Sequence, residues 1–304
     1  MTDSSALVSI AMATYNGEKY LSIQLDSLIN QTYPNIEIVI TDDCSTDTTI
    51  AIIKEYQIKY PFIRLFKKVV NTGVTKTFED SVRESKGNFI ALCDQDDIWE
   101  LDKITILMKE MGVEDAVYSN SILVDADGEL LNKDFNSVMK LRSYYSGVPF
   151  LLANCVPGHT ILMRADFVKK ILPFPKHIFF DKWISFCAAA NNGIKYIDKG
   201  LVLYRQHASN TVGVGKTRNK TKQETANEIF ENKLLELKTF QTAHITSEET
   251  KVILNRMVEL FTKKWSLQRS IFFFKNIDTL LIIKNKPYYR KIFYCIKMIF
   301  KANY

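Results

Sequence analysis

Short apolar runs alternate with stretches of helical spacing through the first third of the chain. Residues 7–14 form a run of β-forming side chains that ends at Asn16-Gly17, and apolar side chains then recur every three or four positions over 18–31. The same unit repeats at strands 36–41, 63–69 and 89–94, followed by helical stretches 47–59, 75–85 and 100–111. Near-continuous apolar strands alternating with amphipathic helices predict an α/β fold with a mostly parallel sheet flanked by helices.

The pattern changes after this repeat. AVYSNSILVD (116–125), followed by Asp127-Gly128, predicts a strand that enters a hairpin or lies at a sheet edge. Residues 140–215 mix Gly, Pro, His and aromatics, which is typical of loops and short elements around a site.

Helical spacing with few breakers dominates the last part of the chain, from 223 to 301. KTRNKTK (216–222) predicts a solvated connector before it. We therefore expect an α/β domain over 1–215 and a helical C-terminal region over 216–304.

Composition and charge exclude several classes of protein. The 304 residues are 46% hydrophobic and 24% charged, which excludes a disordered chain. The net charge of +6 is uneven, because residues 268–304 carry +7 with Asp278 as their one acid, and the rest of the chain carries −1. A near-neutral body argues against a nucleic-acid-binding protein.

The basic tail over about 268–304 has the pattern of a membrane-surface helix. If 286–301 is helical, four basic residues form one narrow stripe: Lys286, Arg290, Lys297 and Lys301. Apolar residues occupy the broad remainder: Ile292, Phe293, Ile296, Ile299 and Phe300. The pattern predicts an interfacial helix on an anionic membrane surface, which IFFF (271–274) and LLII (280–283) would join. The alternative is a helix docked on the body, with a solvated basic edge. The first interpretation predicts that a chain ending near residue 267 keeps its fold and loses lipid binding.

Cysteine usage and the apolar segments bear on location. Five widely spaced cysteines without a C-x-x-C pair indicate a reducing compartment. The first twenty residues have no basic n-region, and Lys or Arg interrupts the apolar stretches of the tail, so we expect neither a signal peptide nor a membrane span. The predicted location is cytoplasmic and peripheral on the inner face of the membrane.

Polar and acidic residues follow the predicted strands, at the edge of the sheet where open α/β folds bind ligands. These groups are Thr14-Tyr15-Asn16-Gly17, Asp42-Asp43, Asn71-Thr72-Gly73 and Asp94-Gln95-Asp96-Asp97. Five carboxylates on one rim repel each other, and a divalent cation would relieve that repulsion. The alternative, for Asp47 or Asn71 taken singly, is a helix N-cap. The chain has neither G-x-G-x-x-G nor a P-loop, so Mg²⁺ or Mn²⁺ remains as the means of holding a nucleoside diphosphate.

These residues resemble glycosyltransferase family 2, which has the GT-A fold. The resemblance covers roughly 7–215 and rests on V-S-I-x-x-x-T-Y-N (8–16), I-T-D-D-C-S-T-D (40–47), N-T-G (71–73) and C-D-Q-D-D-I-W (93–99). Within the family, D-Q-D-D-I-W followed by YRQHASNTVG (204–213) is similar to bacterial polysaccharide rhamnosyltransferases.

The resemblance implies roles for individual residues. Tyr15 and Asn16 would hold the nucleotide base, and Asp43, with Asp42 beside it, the base or ribose. Asp94 would lie near the ribose and diphosphate. The implied metal ligands are Asp96 and His207, although a lone His is often structural.

Asp181 in IFFDKW is the candidate base for inverting transfer, since its apolar neighbours should raise its pKa. Trp183 is expected to stack on an acceptor sugar. The alternative for Asp181 is the N-cap of a helix over 181–190. Many members of the family have Glu-Asp where this chain has Phe180-Asp181.

Further contacts to the donor sugar or acceptor are implied for Gly158, His159, Thr160 and Arg205, with a plain turn as the alternative for the first three. Neither the Q-x-x-R-W element of processive synthases nor a membrane helix is present in the sequence, so one sugar is expected per encounter.

The expected activity is metal-dependent, inverting transfer of one sugar, L-rhamnose from dTDP-rhamnose. The expected acceptor is a glycan or lipid-linked oligosaccharide of surface polysaccharide biosynthesis, such as O-antigen or capsule. A UDP-hexose or UDP-N-acetylhexosamine donor is the alternative. A sugar nucleotidyltransferase would need a Gly-rich basic loop where this chain has ATYNGEKY. A non-catalytic relative is the remaining alternative, and the intact Asp94, Asp96, Asp181 and His207 argue against it.

Overall fold

The computed structural model describes residues 6–207, 226–263, 265–283 and 285–300. The alternation of strands and helices is confirmed. The first four helices begin within three residues of their predicted starts. The strands are β1 (Val8–Thr14), β2 (Ile36–Asp42), β3 (Ile63–Lys67), β4 (Phe89–Cys93), β5 (Ile98–Trp99), β6 (Ala116–Val124), β7 (Leu130–Asp134), β8 (Ile161–Arg164) and β9 (Ile194–Arg205). The helices of the first domain are α1 (Leu21–Ile29), α2 (Thr49–Lys59), α3 (Val74–Glu84), α4 (Lys103–Glu110), α5 (Ala165–Lys170) and α6 (Phe180–Ala189).

One sheet runs in the order β3-β2-β1-β4-β8-β6-β9-β5, with β7 paired to β6. Its first four strands are parallel, with Val8 of β1 opposite Ile36 on one side and Phe89 on the other. Beyond β4 the sheet is mixed, because β8 is antiparallel to both neighbours while β6 and β9 are parallel. The carboxyl ends of β1, β2 and β4 therefore meet at one edge, as the sequence predicts.

The hairpin predicted after residue 116 is present, formed by β6 and β7. The edge position was the other possibility, and it is wrong, because β6 lies between β8 and β9. Eight of the nine β6 residues are buried, so the strand needs cover on both faces.

Successive side chains of a strand point to opposite faces of the sheet. Because both sets are mostly apolar in strands such as β1, helices cover both faces. Ile10 and Met12 pack with α1 and α4 in one cluster. Ala11 packs with α3 in a second cluster on the opposite face, and that cluster continues into the C-terminal helices.

The C-terminal helices are α7 (Ala226–Phe240), α8 (Glu248–Leu260), α9 (Leu267–Lys275), α10 (Ile277–Leu280) and α11 (Tyr288–Lys297). Buried side chains of the last three, Phe273, Leu280 and Cys295, belong to the same cluster as Phe150 and Phe186 of the first domain. Contrary to the expectation from the sequence, we therefore predict that a chain ending near residue 267 loses part of this core and is less stable.

The tail also differs from one long helix. Pro287 precedes α11, which ends at Lys297, and Ile292 and Ile299 are half-buried rather than on an open face. Arg269 is fully buried and donates to the carbonyl oxygens of Leu260 and Met298, so this member of the basic tail is internal. The connector 216–222, the boundary at 215, and two basic residues of the tail lie outside the described residues: Lys284 and Lys301. Among the helices that the structure describes, none combines the length and hydropathy that a bilayer crossing requires.

Candidate functional site

The loops after β1 and β2 are tied together at the rim. Asn16 has a φ of 47°, in the left-handed region that Asn tolerates better than most residues. Its Oδ1 accepts from the Thr46 N–H at 2.9 Å, and its own N–H donates to Ser45 Oγ at 2.9 Å. The Tyr15 side chain beside it is 48% exposed. A planar ring is thus left open to the rim on a fixed backbone.

Asp42 and Asp43 shape this rim from inside. Asp42 is buried, and it accepts from the hydroxyls of Thr14 and Ser45. Its predicted contact with the nucleotide is therefore corrected to a structural one. Asp43 accepts from the N–H groups of Thr72 and Gly73, each at 2.8 Å.

Burial opposes the charge on Asp43, but those two backbone hydrogen bonds and the ammonium of Lys68 lower the pKa of Asp43 below its usual value. Asp43 thereby fixes the Asn71-Thr72-Gly73 loop. The carboxylate is held ionised at the place where the resemblance implies a base or ribose contact.

Gln95 joins the loop after β4 to the loop after β1. Its Oε1 accepts from the Tyr15 N–H at 2.8 Å, and its Nε2 donates to the Tyr15 carbonyl at 3.0 Å. At Gly17 a Cβ would lie 2.4 Å from the same Oε1, so any larger residue there would displace the Gln95 side chain. No role for Gln95 was predicted from the sequence, where the available signal was an amide placed among three acids.

Acids and imidazoles converge on the loop after β4. His207 Nε2 lies 2.8 Å from Asp96 Oδ2, so the predicted metal pair is brought together. His159 Nδ1 lies 3.5 Å from Asp94 Oδ2 and 3.7 Å from Asp97 Oδ2. His159 is only 4% exposed, so it contacts the acids from the protein interior instead of reaching sugar hydroxyls, as had been predicted.

This cluster is under electrostatic strain. Burial, with the nearby charge of Asp94 adding to it, raises the pKa of Asp96. Burial, followed by the charges of Asp96 and Asp94, raises the pKa of Asp97 well above its usual value. Asp97 is fully buried, and its Oδ2 has no hydrogen-bond partner.

The donor set fits a divalent cation. Carboxylate oxygens and imidazole nitrogens suit Mg²⁺ or Mn²⁺, and a cation would satisfy an orphaned buried oxygen while relieving the repulsion. Asp96 and His207 form one pair of ligand atoms. The ligand atoms of Asp94, Asp97 and His159 lie within 4.8 Å of one another and form a second group on the same loop.

Lys103 supports the cluster and was not found from the sequence. It is fully buried, and its Nζ donates to the His159 carbonyl at 2.6 Å and lies 3.1 Å from the centre of the Trp99 ring. Burial lowers the pKa of Lys103 well below its usual value. The available signal was its place on the apolar face of α4, beside Ile104 and Leu107.

Three predicted sugar contacts are internal. Arg205 is 2% exposed; its N–H donates to Asp97 Oδ1 and its Nε to the Asp96 carbonyl, so it positions the acidic loop. The hydroxyl of Thr160 is buried and donates to the Pro157 carbonyl. Trp183 is 4% exposed, its Nε1 donates to the Ile171 carbonyl, and it cannot stack on an acceptor.

Asp181 lies in the first turn of α6, so it is not the N-cap, which is Phe179. Its carboxylate accepts from the Lys182 N–H at 2.6 Å. Burial raises the pKa of Asp181 to about 7, and the charge of Asp94 adds to the shift, which links the carboxylate to the acidic cluster. Gly158 is packed against this residue, because a Cβ there would lie 3.7 Å from Asp181 Cβ. A carboxylate with this pKa can accept a proton near neutral pH.

Residues 9–172, more than half of the chain, match the family model described as glycosyl transferase family 2. The chain belongs to glycosyltransferase family 2. It is therefore an enzyme, and the resemblance to this family is confirmed.

Relatives and solved structures agree with this family 2 assignment. The chain is 32% identical over 220 residues to the dTDP-rhamnosyl transferase RfbG of Shigella flexneri, covering 66% of this chain and 73% of that one. It is 30% identical over 135 residues to the putative teichuronic acid biosynthesis glycosyltransferase TuaG of Bacillus subtilis, covering 44% of this chain and 54% of that one.

Two solved structures share the fold of this glycosyltransferase. TarS 1–349 of S. aureus in complex with UDP-GlcNAc has a TM-score of 0.60 at 19% identity, covering 97% of this chain and 81% of that one. The mannosyltransferase PcManGT of Pyrobaculum calidifontis in complex with GDP-Man and Mn²⁺ has a TM-score of 0.54 at 15% identity, covering 85% and 71%. The predicted GT-A fold is thereby confirmed.

Proposed function

We propose that this glycosyltransferase transfers a single L-rhamnose from dTDP-rhamnose, with inversion and with a divalent metal, to a glycan or lipid-linked oligosaccharide of surface polysaccharide biosynthesis. The donor is supported by the similarity to RfbG, whose name gives dTDP-rhamnose transfer. The chemistry rests on one observation, the partly buried Asp181 carboxylate whose pKa is raised to about 7 beside the acidic cluster.

Asp181 acts as the general base. Its carboxylate takes the proton of the acceptor hydroxyl as that oxygen bonds to the anomeric carbon, and the bond from this carbon to the diphosphate oxygen breaks on the opposite face. The proton ends on Asp181 and the electron pair on the departing nucleoside diphosphate. The raised pKa makes Asp181 a stronger base than an ordinary aspartate, while leaving much of it ionised near neutral pH.

The donor would be held by the rim. The exposed Tyr15 ring and the Asn16 loop would contact the base. Asp43 and the loop it fixes would contact the base or ribose. Asp94, the most exposed acid of the cluster, would face the ribose and diphosphate. Asp96 and His207 would hold the metal, which neutralises charge on the leaving diphosphate when bound. We assign this site to a domain over 1–215, which is followed by a helical C-terminal region over 216–304.

The donor is tested with purified protein, Mn²⁺ and a panel of nucleotide sugars. A preferred donor raises the melting temperature by mass action, and release of nucleoside diphosphate reports turnover. We expect dTDP-rhamnose to give both signals. A stronger response to a UDP-hexose or UDP-N-acetylhexosamine would replace rhamnose, and no release with any donor would favour a non-catalytic relative.

The metal is tested by chelation of the same protein. Removing divalent ions should abolish turnover, and Mn²⁺ or Mg²⁺ should restore it. Asp96→Asn should not lower the melting temperature of the free protein, because the raised pKa of Asp96 means that its charge is unfavourable there, and it should lose the metal response. Full turnover in chelator would refute metal dependence.

The proposed location is cytoplasmic, at the inner face of the membrane, where a lipid-linked acceptor is found at the surface of the bilayer. The uneven charge, with +7 on residues 268–304, supports an anionic membrane surface as partner. Fractionation of cells is the direct measurement, and protein found only in the soluble fraction at low salt would contradict it.

A further inference from the structure

Helices α9 and α11 pack side by side in opposite directions. The Ser266 N–H donates to the Ile299 carbonyl at 3.1 Å, and Ser270 Oγ donates to the Cys295 carbonyl at 2.8 Å. The residue numbers rise along one helix as they fall along the other, so the pair is antiparallel.

Each helix of this pair exposes a stripe of large apolar side chains. On α9 the exposed residues are Leu267, Ile271 and Phe274. On α11 and the turn that follows it they are Tyr289, Phe293, Ile296 and Phe300. Both sets follow the spacing of one helix face. These stripes differ in part from the surface expected from the sequence, which placed Ile292 and Ile299 in the apolar face and had residues 271–274 of α9 joining it.

The two stripes lie on the same side of the pair. Each contains the residue that follows a helix–helix contact, since Ile271 follows Ser270 and Ile296 follows Cys295. One residue is about 100° of rotation in a helix. When two helices are antiparallel, side chains that are rotated by the same angle from the contact residue of each helix lie on the same side of the pair. Exposed Trp265, whose ring centre lies 6.5 Å from that of Phe300, joins the stripes at one end. We call this surface the two-helix face.

Basic residues border the two-helix face. Lys297 Nζ lies 5.1 Å from the centre of the Phe293 ring, and the Arg290 guanidinium lies 5.9 Å from that of Tyr289. Lys275 follows Phe274 at the end of α9 and is exposed. Within 265–283 and 285–300, the one acid is Asp278, and it belongs to α10 rather than to either helix of the face.

We propose that the two-helix face lies on an anionic lipid bilayer, with its aromatic and aliphatic side chains at the boundary between headgroups and acyl chains. Charge complementarity selects this occupant, because an apolar centre with a basic border matches an anionic bilayer. A second copy of the chain docked on the same face would bring two basic borders together. The proposal deepens, and rests on, the membrane location proposed above, and it replaces the single tail helix with a surface that the folded domain presents.

The test is flotation of the full chain with vesicles of phosphatidylcholine, alone or with phosphatidylglycerol. Phe293→Ser combined with Ile296→Ser removes two exposed side chains of the face without touching the core. We expect this variant to lose about tenfold or more of its binding to anionic vesicles. The matched control is Ile58→Ser combined with Val252→Ser, two exposed apolar residues on α2 and α8, which should bind like the wild type.

Charge and oligomeric state give the remaining outcomes. Arg290→Glu combined with Lys297→Glu should weaken binding to anionic vesicles, and added salt should weaken binding of the wild type. The proposal is overturned if the wild type binds no vesicles, if it binds neutral vesicles equally well, or if the apolar variant binds unchanged. A dimer that this variant dissociates, without vesicle binding, would instead identify a second copy as the occupant. Release of nucleoside diphosphate should be unchanged in every variant. If neither the wild type nor any variant releases nucleoside diphosphate, while the wild type still floats with anionic vesicles, the result would count against the proposed activity alone.

Discussion

Replacing Asp181 by Asn should exchange activity for stability. The side chain keeps its size but can no longer be ionised, so the acceptor hydroxyl loses its base. General-base catalysis contributes about 10²–10⁴-fold to a rate, and we expect a fall of that size in the rate of transfer. Binding of the donor, measured by thermal shift, should be retained because the rim that holds the donor is unchanged.

The pKa sets the size of the accompanying gain in stability. Burial raises the pKa of Asp181 from 3.8 to about 7, and one unit is worth about 1.4 kcal/mol, so ionising this group in the folded state costs up to about 4 kcal/mol. The folded protein binds the proton more tightly than the unfolded chain does, so its stability falls as the pH rises from 3.8 to 7. Asn bears no such cost. The Asn variant should be more stable than the wild type at pH 8, by up to about 4 kcal/mol, and no more stable at pH 3.5.

Two measurements check this reasoning. In the wild type, kcat/KM should fall on the acidic side with a midpoint near pH 7, to about one tenth of its plateau one unit lower. Urea unfolding of both proteins at several pH values gives the stability difference. Asp166→Asn, an exposed acid on α5, is the matched control and should change neither property. A wild-type rate in the Asp181→Asn variant, or an acidic midpoint near pH 4, would refute the role of Asp181.

Three further changes test the supports of the site and the core. Gln95→Ala removes both hydrogen bonds to the loop after β1, so donor KM should rise about 5–10-fold with a smaller change in kcat, which steady-state kinetics would show. Lys103→Met leaves the buried carbonyl of His159 without its donor, so the free energy of unfolding measured in urea should fall by about 1–3 kcal/mol. The fall should be smaller when Asp97→Asn is also present, and equal falls would show that the charges of Lys103 and Asp97 are not coupled. Phe273→Ala should cost about 3–5 kcal/mol because the ring is fully buried, whereas the exposed neighbour in Phe274→Ala should change stability by no more than about 0.5 kcal/mol; similar costs would mean that α9 is not part of the core.

The order of strands and helices could be predicted because it depends on local periodicity. Strands such as β1 and β4 are buried on both faces, and buried strands appear in the sequence as continuous apolar runs. The acids at the strand ends follow from the same pattern, since parallel strands place their carboxyl ends together. The position of β6 inside the sheet could not be predicted, because it depends on β8 and β9, which are far from it in sequence.

Roles that depend on burial were the weakest part of the prediction. Trp183 and Arg205 are chemically suited to sugar contacts, yet both are internal, because one fills the core between α6 and α7 and the other holds the acidic loop. His159 was likewise expected to contact sugar hydroxyls, yet it is buried and belongs to the acid and imidazole cluster. Residue type alone gives what a side chain can bind, but the direction in which it points depends on the packing of distant elements.

The C-terminal region shows the same limit for charge. A count of Lys and Arg treats each as a surface group, but Arg269 binds carbonyl oxygens in the interior. Two more basic residues, Lys182 on α6 and Lys233 on α7, pair with Glu236, and this half-buried network joins α7 to the helix that bears Asp181. The helical region is therefore held to the helix that bears Asp181 by these ion pairs. Because α9, α11 and α6 also share one apolar cluster, the two-helix face has a fixed orientation relative to Asp181, and a bilayer bound there would hold the Asp181 carboxylate in one orientation to the membrane.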